Sequence, residues 1–387
     1  MQAIRLWNRR QGLLALLAPA WAGAVAAASP DAAVDEVRPD RVLRFPSDHG
    51  SHPAARTEWW YLTGHLEAAG SLPAQGKAAV PRWGFQITFF RSRTGLAEQL
   101  PGRLAPRQVL FAHAALTDLG QPGQPARHLH DQRMVRWNGE DAGTRARADR
   151  GEARLRTADW QLQRAPASER WQAHLPAEGF GLDLQLAPTQ PVMLQGEAGH
   201  SRKGPLPGEA SHYYSLPQLV VQGELRVGAG LHPVHGRAWM DHEWSNAYLA
   251  PEAVGWDWVG FNLDDGSALM LFRMRARDEQ AAPVWAGGSW RDPQGGLRTF
   301  QPGELRFEPG RRWRSPDSGA SYPVQWTLHT PVGRFQVEAL LDAQELDSRA
   351  STGTVYWEGL SVLRDEQGRR LGLGYLEMTG RAGRLAL

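Results

Sequence analysis

The chain has 387 residues, no cysteine, 43 Lys plus Arg against 41 Asp plus Glu, 17 Trp, 42 Gly and 27 Pro. At 42% hydrophobic residues it can fill one large or two medium cores, and its Trp content sets it apart from disordered chains. Without cysteine there are no disulfides, thiol nucleophiles or cysteine-held metals, so any covalent nucleophile must be oxygen or nitrogen.

Arg5, Arg9 and Arg10 precede an apolar stretch over 12–28, and Ala26-Ala27-Ala28 before Ser29 satisfies the small-x-small rule for cleavage. Residues 1–28 therefore read as a signal peptide, and Arg9-Arg10 has the form of a twin-arginine export signal. A membrane anchor needs about 20 apolar residues, and this stretch is short and broken by Pro19. The expected location is the periplasm, or outside the cell. Cleavage removes three basic residues and no acidic ones, leaving 40 basic against 41 acidic, a net charge of −1. Only Lys77 and Lys203 are lysines, and the arginines alternate with acids, so nucleic acid is not an expected partner.

Beyond the leader, short aromatic and β-branched segments with period-two alternation lie between scattered Gly and Pro. Strands are predicted over 59–66, 83–90, 109–117, 153–162, 171–174, 182–186 and 218–227, while 197–215 reads as a long loop. The second half adds 236–240, 255–263, 267–275, 303–307, 324–329, 333–340, 354–363 and 371–379. Asp264-Asp265-Gly266 is a hairpin signal, and the turn at 365–369 predicts antiparallel pairing of 356–362 with 372–379. The length exceeds what one small barrel fills, which places a division near residue 230, giving domains 29–230 and 231–387. No dinucleotide fingerprint, Walker motif, His-Glu-x-x-His or Gly-x-Ser-x-Gly is present.

The densest polar-aromatic cluster is Trp239-Met240-Asp241-His242-Glu243-Trp244-Ser245-Asn246, followed by Trp256-Asp257-Trp258. In an extended chain Asp241 and Glu243 share one face, and Met240, His242 and Trp244 the other. His242 between indoles suits proton transfer in a partly dehydrated cavity beside a carboxylate; a packed core histidine is the alternative. Glu58, ahead of Trp59, Trp60 and Tyr61, is either paired at a cavity mouth or an edge residue facing water. Tyr356 with Glu358, and Tyr375 with Glu377, share faces of predicted neighbouring strands. That pattern can bring two carboxylates together and raise one pKa, though seam packing explains it as well. The histidines show no metal-ligand spacing, so no metal is expected. Indoles at strand ends suit a pocket for an apolar or unsaturated ligand, where their π faces would stabilise a cation.

Several strings stand out together: Glu58-Trp59-Trp60-Tyr61-Leu62-Thr63-Gly64, Trp83-Gly84-Phe85-Gln86, Asp241-His242-Glu243-Trp244-Ser245 and Gly255-Trp256-Asp257-Trp258 in the first part of the pattern. Leu263-Asp264-Asp265-Gly266, Tyr356-Trp357-Glu358-Gly359 and Gly374-Tyr375-Leu376-Glu377 continue it. In this order they resemble the AttH-like family of predicted secreted hydrolases, grouped with the CrtC carotenoid 1,2-hydratases, over residues 44–381. The resemblance implies an all-β fold of two consecutive lipocalin-like antiparallel β-barrel domains. It also implies chemistry without metal or organic cofactor, in which an acid protonates an alkene and water or an internal π bond captures the cation.

On that reading the candidate catalytic residues are His242, Asp257, Glu243, Asp241 and Glu58. Asp257 or Glu243 supplies the proton, and His242 orients it or positions water. Trp59, Tyr61, Trp239, Trp244, Trp256, Trp258 and Tyr356 are the candidate ligand-binding residues, and the expected ligand is a hydrophobic, isoprenoid-like small molecule. The Asp-His-Glu-Trp-Ser string has the AttH-like form and not that of true hydratases, which counts against a carotenoid. Two alternatives stand beside this one. Relatives occur beside ABC transporter genes, which suggests a periplasmic binding protein delivering a hydrophobic ligand to such a system. Hydrolysis of a small ester or lactone by an acid–base pair is the other, since no serine nucleophile elbow is visible.

Overall fold

Period-two alternation produces two large antiparallel sheets in the computed structural model, which describes residues 36–70, 81–95, 105–121, 123–137, 145–247 and 249–384. The first sheet opens with four long strands, β1 (Thr57–Ala68), β2 (Trp83–Arg93), β3 (Gln108–Asp118) and β4 (Arg127–Trp137). Shorter ones follow: β5 (Ala146–Ala148), β6 (Arg154–Thr157), β7 (Trp160–Arg164), β8 (Trp171–Pro176), β9 (Phe180–Ala187), β10 (Met193–Leu194) and β11 (His200–Arg202). It ends in a long hairpin, β12 (Ala210–Val227) and β13 (Gly230–Ser245). The order is β4-β3-β2-β1-β13-β12-β9-β8-β7-β6-β5, with β10 and β11 paired to β12. β4 meets β5 and β6 at the seam, so the sheet nearly closes into a barrel and hides its edges.

The second sheet starts with β14 (Ala253–Leu263), β15 (Ala268–Ala276), β16 (Trp285–Arg291), β17 (Leu297–Phe300) and β18 (Arg306–Pro309). After the small β19 (Arg312–Arg314) and β20 (Ser321–Pro323) ribbon come β21 (Gln325–Thr330), β22 (Gly333–Ala339), β23 (Glu345–Ser348), β24 (Thr354–Arg364) and β25 (Arg370–Met378). Its order is β17-β16-β15-β14-β25-β24-β22-β21-β18, with β23 on β24, and it stays a half-barrel. The expected all-β, lipocalin-like architecture is therefore present, with one barrel nearly closed and one open. Among the described residues the only helical segments are the 3₁₀ turns Ser47–His49 and Pro302–Glu304.

Alternation sorts the side chains into three apolar layers. Even-numbered residues of β1 and β13, such as Trp60, Leu62, Met240 and Trp244, point into the barrel with Phe85, Trp160 and Trp171. Their odd-numbered neighbours Tyr61 and Trp239 pack outward on Trp258, Met270, Phe272 and Tyr375 of the second sheet. The far face of that sheet encloses its own core around Phe261, Trp326 and Trp357. The described residues all belong to one unit spanning 34–387.

The Asp264-Asp265-Gly266 turn joins β14 to β15 as expected, with Gly266 at φ 91°, a region only glycine enters freely. β24 and β25 pair antiparallel as expected. Residues 153–162 form two strands, because Ala158 at φ 57° turns the chain between Thr157 and Trp160. The stretch read as a loop contains β11 and the first third of β12, whose Ser and His side chains are buried against β13. Residue 230, the expected division, opens β13 inside the first sheet; the chain changes sheet between Ser245 and Ala253. The expected signal peptide lies outside the described residues.

Candidate active site

Where β1, β2, β12 and β13 of the barrel face β14, β15, β24 and β25, the two sheets do not close on each other completely. They leave a cavity walled by Trp59, Tyr61, Phe90, Trp256, Trp258 and Phe272, with about 950 Å³ free of protein atoms when its opening is counted. Gly260 carries no side chain under the Trp258 indole, whose outer ring carbons occupy the space a Cβ would take. Four carboxyl groups interrupt the aromatic wall: Asp241, Glu243, Glu358 and Glu377.

Glu358 and Glu377 stand directly opposite each other in the β24–β25 ladder. Burial, reinforced by the facing Glu377, pushes the Glu358 pKa well above the carboxylate range. Burial likewise raises Glu377 to about 8, although its Oε1 accepts a 3.0 Å hydrogen bond from Trp256 Nε1. Glu358 Oε2 is buried with no partner. Two carboxyl groups facing each other in an apolar wall do not both ionise, so this pair holds protons at neutral pH.

Asp241 is raised to about 7 by burial, against three donors. Trp239 Nε1 (2.7 Å) and Ser215 Oγ (2.5 Å) reach its Oδ1, and Tyr213 OH (2.6 Å) its Oδ2. Tyr213 in turn accepts from Trp258 Nε1 at 3.1 Å, which aims its own proton at Asp241. Glu243 pairs with Lys203 Nζ at 2.8 Å and accepts from Ser211 Oγ. Lys203 lies over the rings of Tyr213 (4.7 Å) and Phe272 (4.1 Å). Between the two sheets His113 Nδ1 of β3 meets Tyr356 OH of β24 at 2.5 Å, and burial lowers the His113 pKa to about 3, so the ring is neutral. Tyr61 OH, on β1 directly beside Asp241, is buried without a partner.

His242 and Glu58 are on the other face of the same strands. His242 is sealed in the barrel, stacked 4.4 Å from Trp60, with its Nε2 2.9 Å from Glu58 Oε1. Burial lowers its pKa to about 4 despite that carboxylate. Burial would raise Glu58, but Arg91 (2.8 Å) and His52 (2.7 Å) hold it well below the usual range. His52, Glu58 and His242 are the one group among the described residues whose ligand atoms converge closely enough, within 4.8 Å, to hold a metal ion. Every one of those atoms already has a hydrogen-bond partner, and Arg91 brings a positive charge to the spot a cation would take.

The structure thus divides the predicted residues. Asp241, Glu243, Trp59, Tyr61, Trp256, Trp258 and Tyr356 line the cavity, and Trp239 braces Asp241 from below. His242, Glu58 and Trp244 face the barrel interior and do not line this cavity. Asp257 does not line it either: burial would raise its pKa, but Arg381, Arg275 and Arg273 bring it down to about 2. It points away from the cavity into that arginine cluster. Sequence reasoning noticed the shared faces of Glu358 and Glu377 without assigning them a role. It missed Lys203, Tyr213 and His113 as lining residues.

The AttH-like family profile matches residues 36–381. Among solved structures, a protein of Nitrosomonas europaea assigned to AttH is similar at 43% identity, covering 89% of this chain and 99% of that one, with a TM-score of 0.78. Kievitone hydratase of Nectria haematococca has the same fold at 13% identity, covering 87% of this chain and 93% of that one, with a TM-score of 0.63. A search of curated protein sequences finds no match.

Proposed function

The chain belongs to the AttH-like family, and from that premise we propose that it is an exported acid–base enzyme of hydratase, cyclase or isomerase type. Its substrate is a hydrophobic, unsaturated, isoprenoid-like molecule whose reacting part lies between the two sheets. The observation that carries this reading is the Glu358–Glu377 pair, two carboxyl groups that keep protons at neutral pH in an aromatic cavity. With Asp241 raised and Glu243 paired to Lys203, the wall has little net charge and suits an uncharged ligand segment. A hydratase is built on the same fold, so the architecture accommodates this chemistry.

In the proposed reaction the pair gives its proton to one alkene carbon, the π electrons form the new C–H bond, and the adjacent carbon becomes cationic. Trp256 and Trp258 present their rings to that charge. A water oxygen forms the C–O bond and returns a proton to the carboxylate, restoring the acid, so the net change is addition of water. Capture by an internal π bond followed by proton loss to the same carboxylate would give a ring or a moved double bond. The leader sequence supports export, and hence a periplasmic or secreted site of action.

The test is to extract small molecules from protein purified from its native envelope, identify them by mass spectrometry and incubate them with the enzyme in D₂O. The expected result is one carbon-bound deuterium per product, with Glu358→Gln and Glu377→Gln each slowing formation by about 10²–10⁴-fold. Conversion at the wild-type rate by both variants sinks the assignment. A ligand that binds tightly and emerges unlabelled would favour the delivery function.

A further inference from the structure

Phe272 lines two spaces: the inter-sheet cavity on one side, and on the other a groove bounded by Glu197, His200, Arg202, Trp285 and Gln301. It sits opposite Gly287 in the β15–β16 ladder, and a Cβ on that glycine would lie 3.0 Å from the Phe272 ring carbons. The missing side chain gives the ring its place, and Phe272 is the residue of β15 that lines both spaces. The groove contains about 1120 Å³ free of protein atoms, its opening included, which is ample for a polar head group.

Two nitrogens of this groove are buried and have no partner, His200 Nε2 and Arg202 Nε. His200 is 8% exposed. The Arg202 guanidinium lies 4.4 Å over the Trp285 ring and donates through Nη2 to the carbonyls of Gly204 and Pro205. Those contacts hold the cation in position without neutralising it. Glu197 stands at the exposed rim; burial lowers the His200 pKa against that carboxylate, with Arg202 adding to the lowering. A neutral imidazole whose Nε2 carries the proton offers one donor and the guanidinium a charged one. Buried donors with no acceptor are costly, and a ligand oxygen relieves that cost.

We infer that this groove is a head-group subsite: an anionic oxygen group of the substrate is held by Arg202 and His200 beside Trp285, while its apolar body passes Phe272 into the cavity. The inference rests on the reading that the cavity holds the substrate, and it narrows the substrate class to amphiphiles with an anionic end.

The experiment measures binding of Nile red, a neutral apolar dye that reports the cavity, and its displacement by dodecanoate and by dodecanol. It uses wild-type protein, Arg202→Met and Trp285→Leu, each checked for native near-UV circular dichroism. Arg202→Met is expected to weaken dodecanoate at least 10-fold and dodecanol less than about 2-fold, and Trp285→Leu to weaken dodecanoate alone, several-fold. Equal losses for both probes, or no loss for either, overturn the subsite while leaving the cavity reading intact. Failure of Nile red and dodecanol to bind the wild type removes the cavity reading, and the subsite with it.

Discussion

Glu377→Gln is expected to stabilise the fold at high pH and to leave it unchanged at low pH. Burial moves this carboxyl from its ordinary 4.5 to about 8. Below pH 4.5 both folded and unfolded chains carry the proton, and the group contributes nothing to the pH dependence. As pH rises from there, the unfolded chain ionises while the folded one does not, so stability falls until the folded group titrates near 8. A displacement of that size corresponds to at most about 5 kcal/mol. Glutamine cannot ionise, and its side-chain carbonyl still accepts from Trp256 Nε1, so the variant escapes this loss while keeping the contact. Urea denaturation of both proteins at pH 4.5, 7 and 9 reads the effect as a difference that grows from zero to about 2–5 kcal/mol. Infrared spectra of the wild type at pH 7 should also show a neutral carboxylic acid band that Glu358→Gln and Glu377→Gln diminish. A constant offset across the pH range, or a variant less stable at pH 9, refutes the protonated pair and with it the proton source of the proposed reaction.

Asp257→Asn leaves Arg273, Arg275 and Arg381 around an uncharged group and should cost about 3–5 kcal/mol at pH 7, read by urea denaturation. Because the folded pKa is about 2 against 3.8, the native contribution is complete above 3.8 and disappears as pH falls through 2. His242→Gln should lower stability by about 1–3 kcal/mol without changing Nile red affinity, since the ring lies inside the barrel. Wild-type His242 titrates near 4 when folded against 6.5 unfolded, so its contribution holds above 6.5 and falls away toward pH 4. Tyr61→Phe removes a buried hydroxyl that has no protein partner, so stability should hold within about 0.5 kcal/mol while dodecanol binds up to about 10-fold more weakly.

Features set by a few neighbouring residues were readable in advance. The Asp264-Asp265-Gly266 turn needs only a glycine at positive φ, and the pairing of β24 with β25 follows from the short turn between them. β4 was missed because Arg127–Trp137 is a polar strand at the barrel seam, where charges discourage pairing with another chain and hide the alternation. The arginines that hold Asp257 ionised come from positions 273, 275 and 381 and carry no local signal beside it. Lys203 sat in a stretch whose Gly, Pro and Ser read as loop, and it reaches Glu243 only because β11 pairs with β12 and β12 with β13.

The decisive feature was one of parity. Alternation showed that Asp241 and Glu243 oppose Met240, His242 and Trp244, and the structure keeps that division. It could not show which side the cavity lies on, because both faces of β13 are buried from Ala238 to Ser245: one by the barrel's own strands, the other by a second sheet that begins at Ala253. A histidine flanked by indoles attracts a catalytic reading, yet here Glu58, Trp60 and Tyr214 satisfy it inside the barrel. On the opposite face Glu358 Oε2 and Tyr61 OH lack partners in the wall of an open cavity. Orphaned polar atoms alone do not separate the two faces, since Trp244 Nε1 inside the barrel also lacks a partner. In a chain with both strand faces buried, only the packing of the two sheets tells them apart.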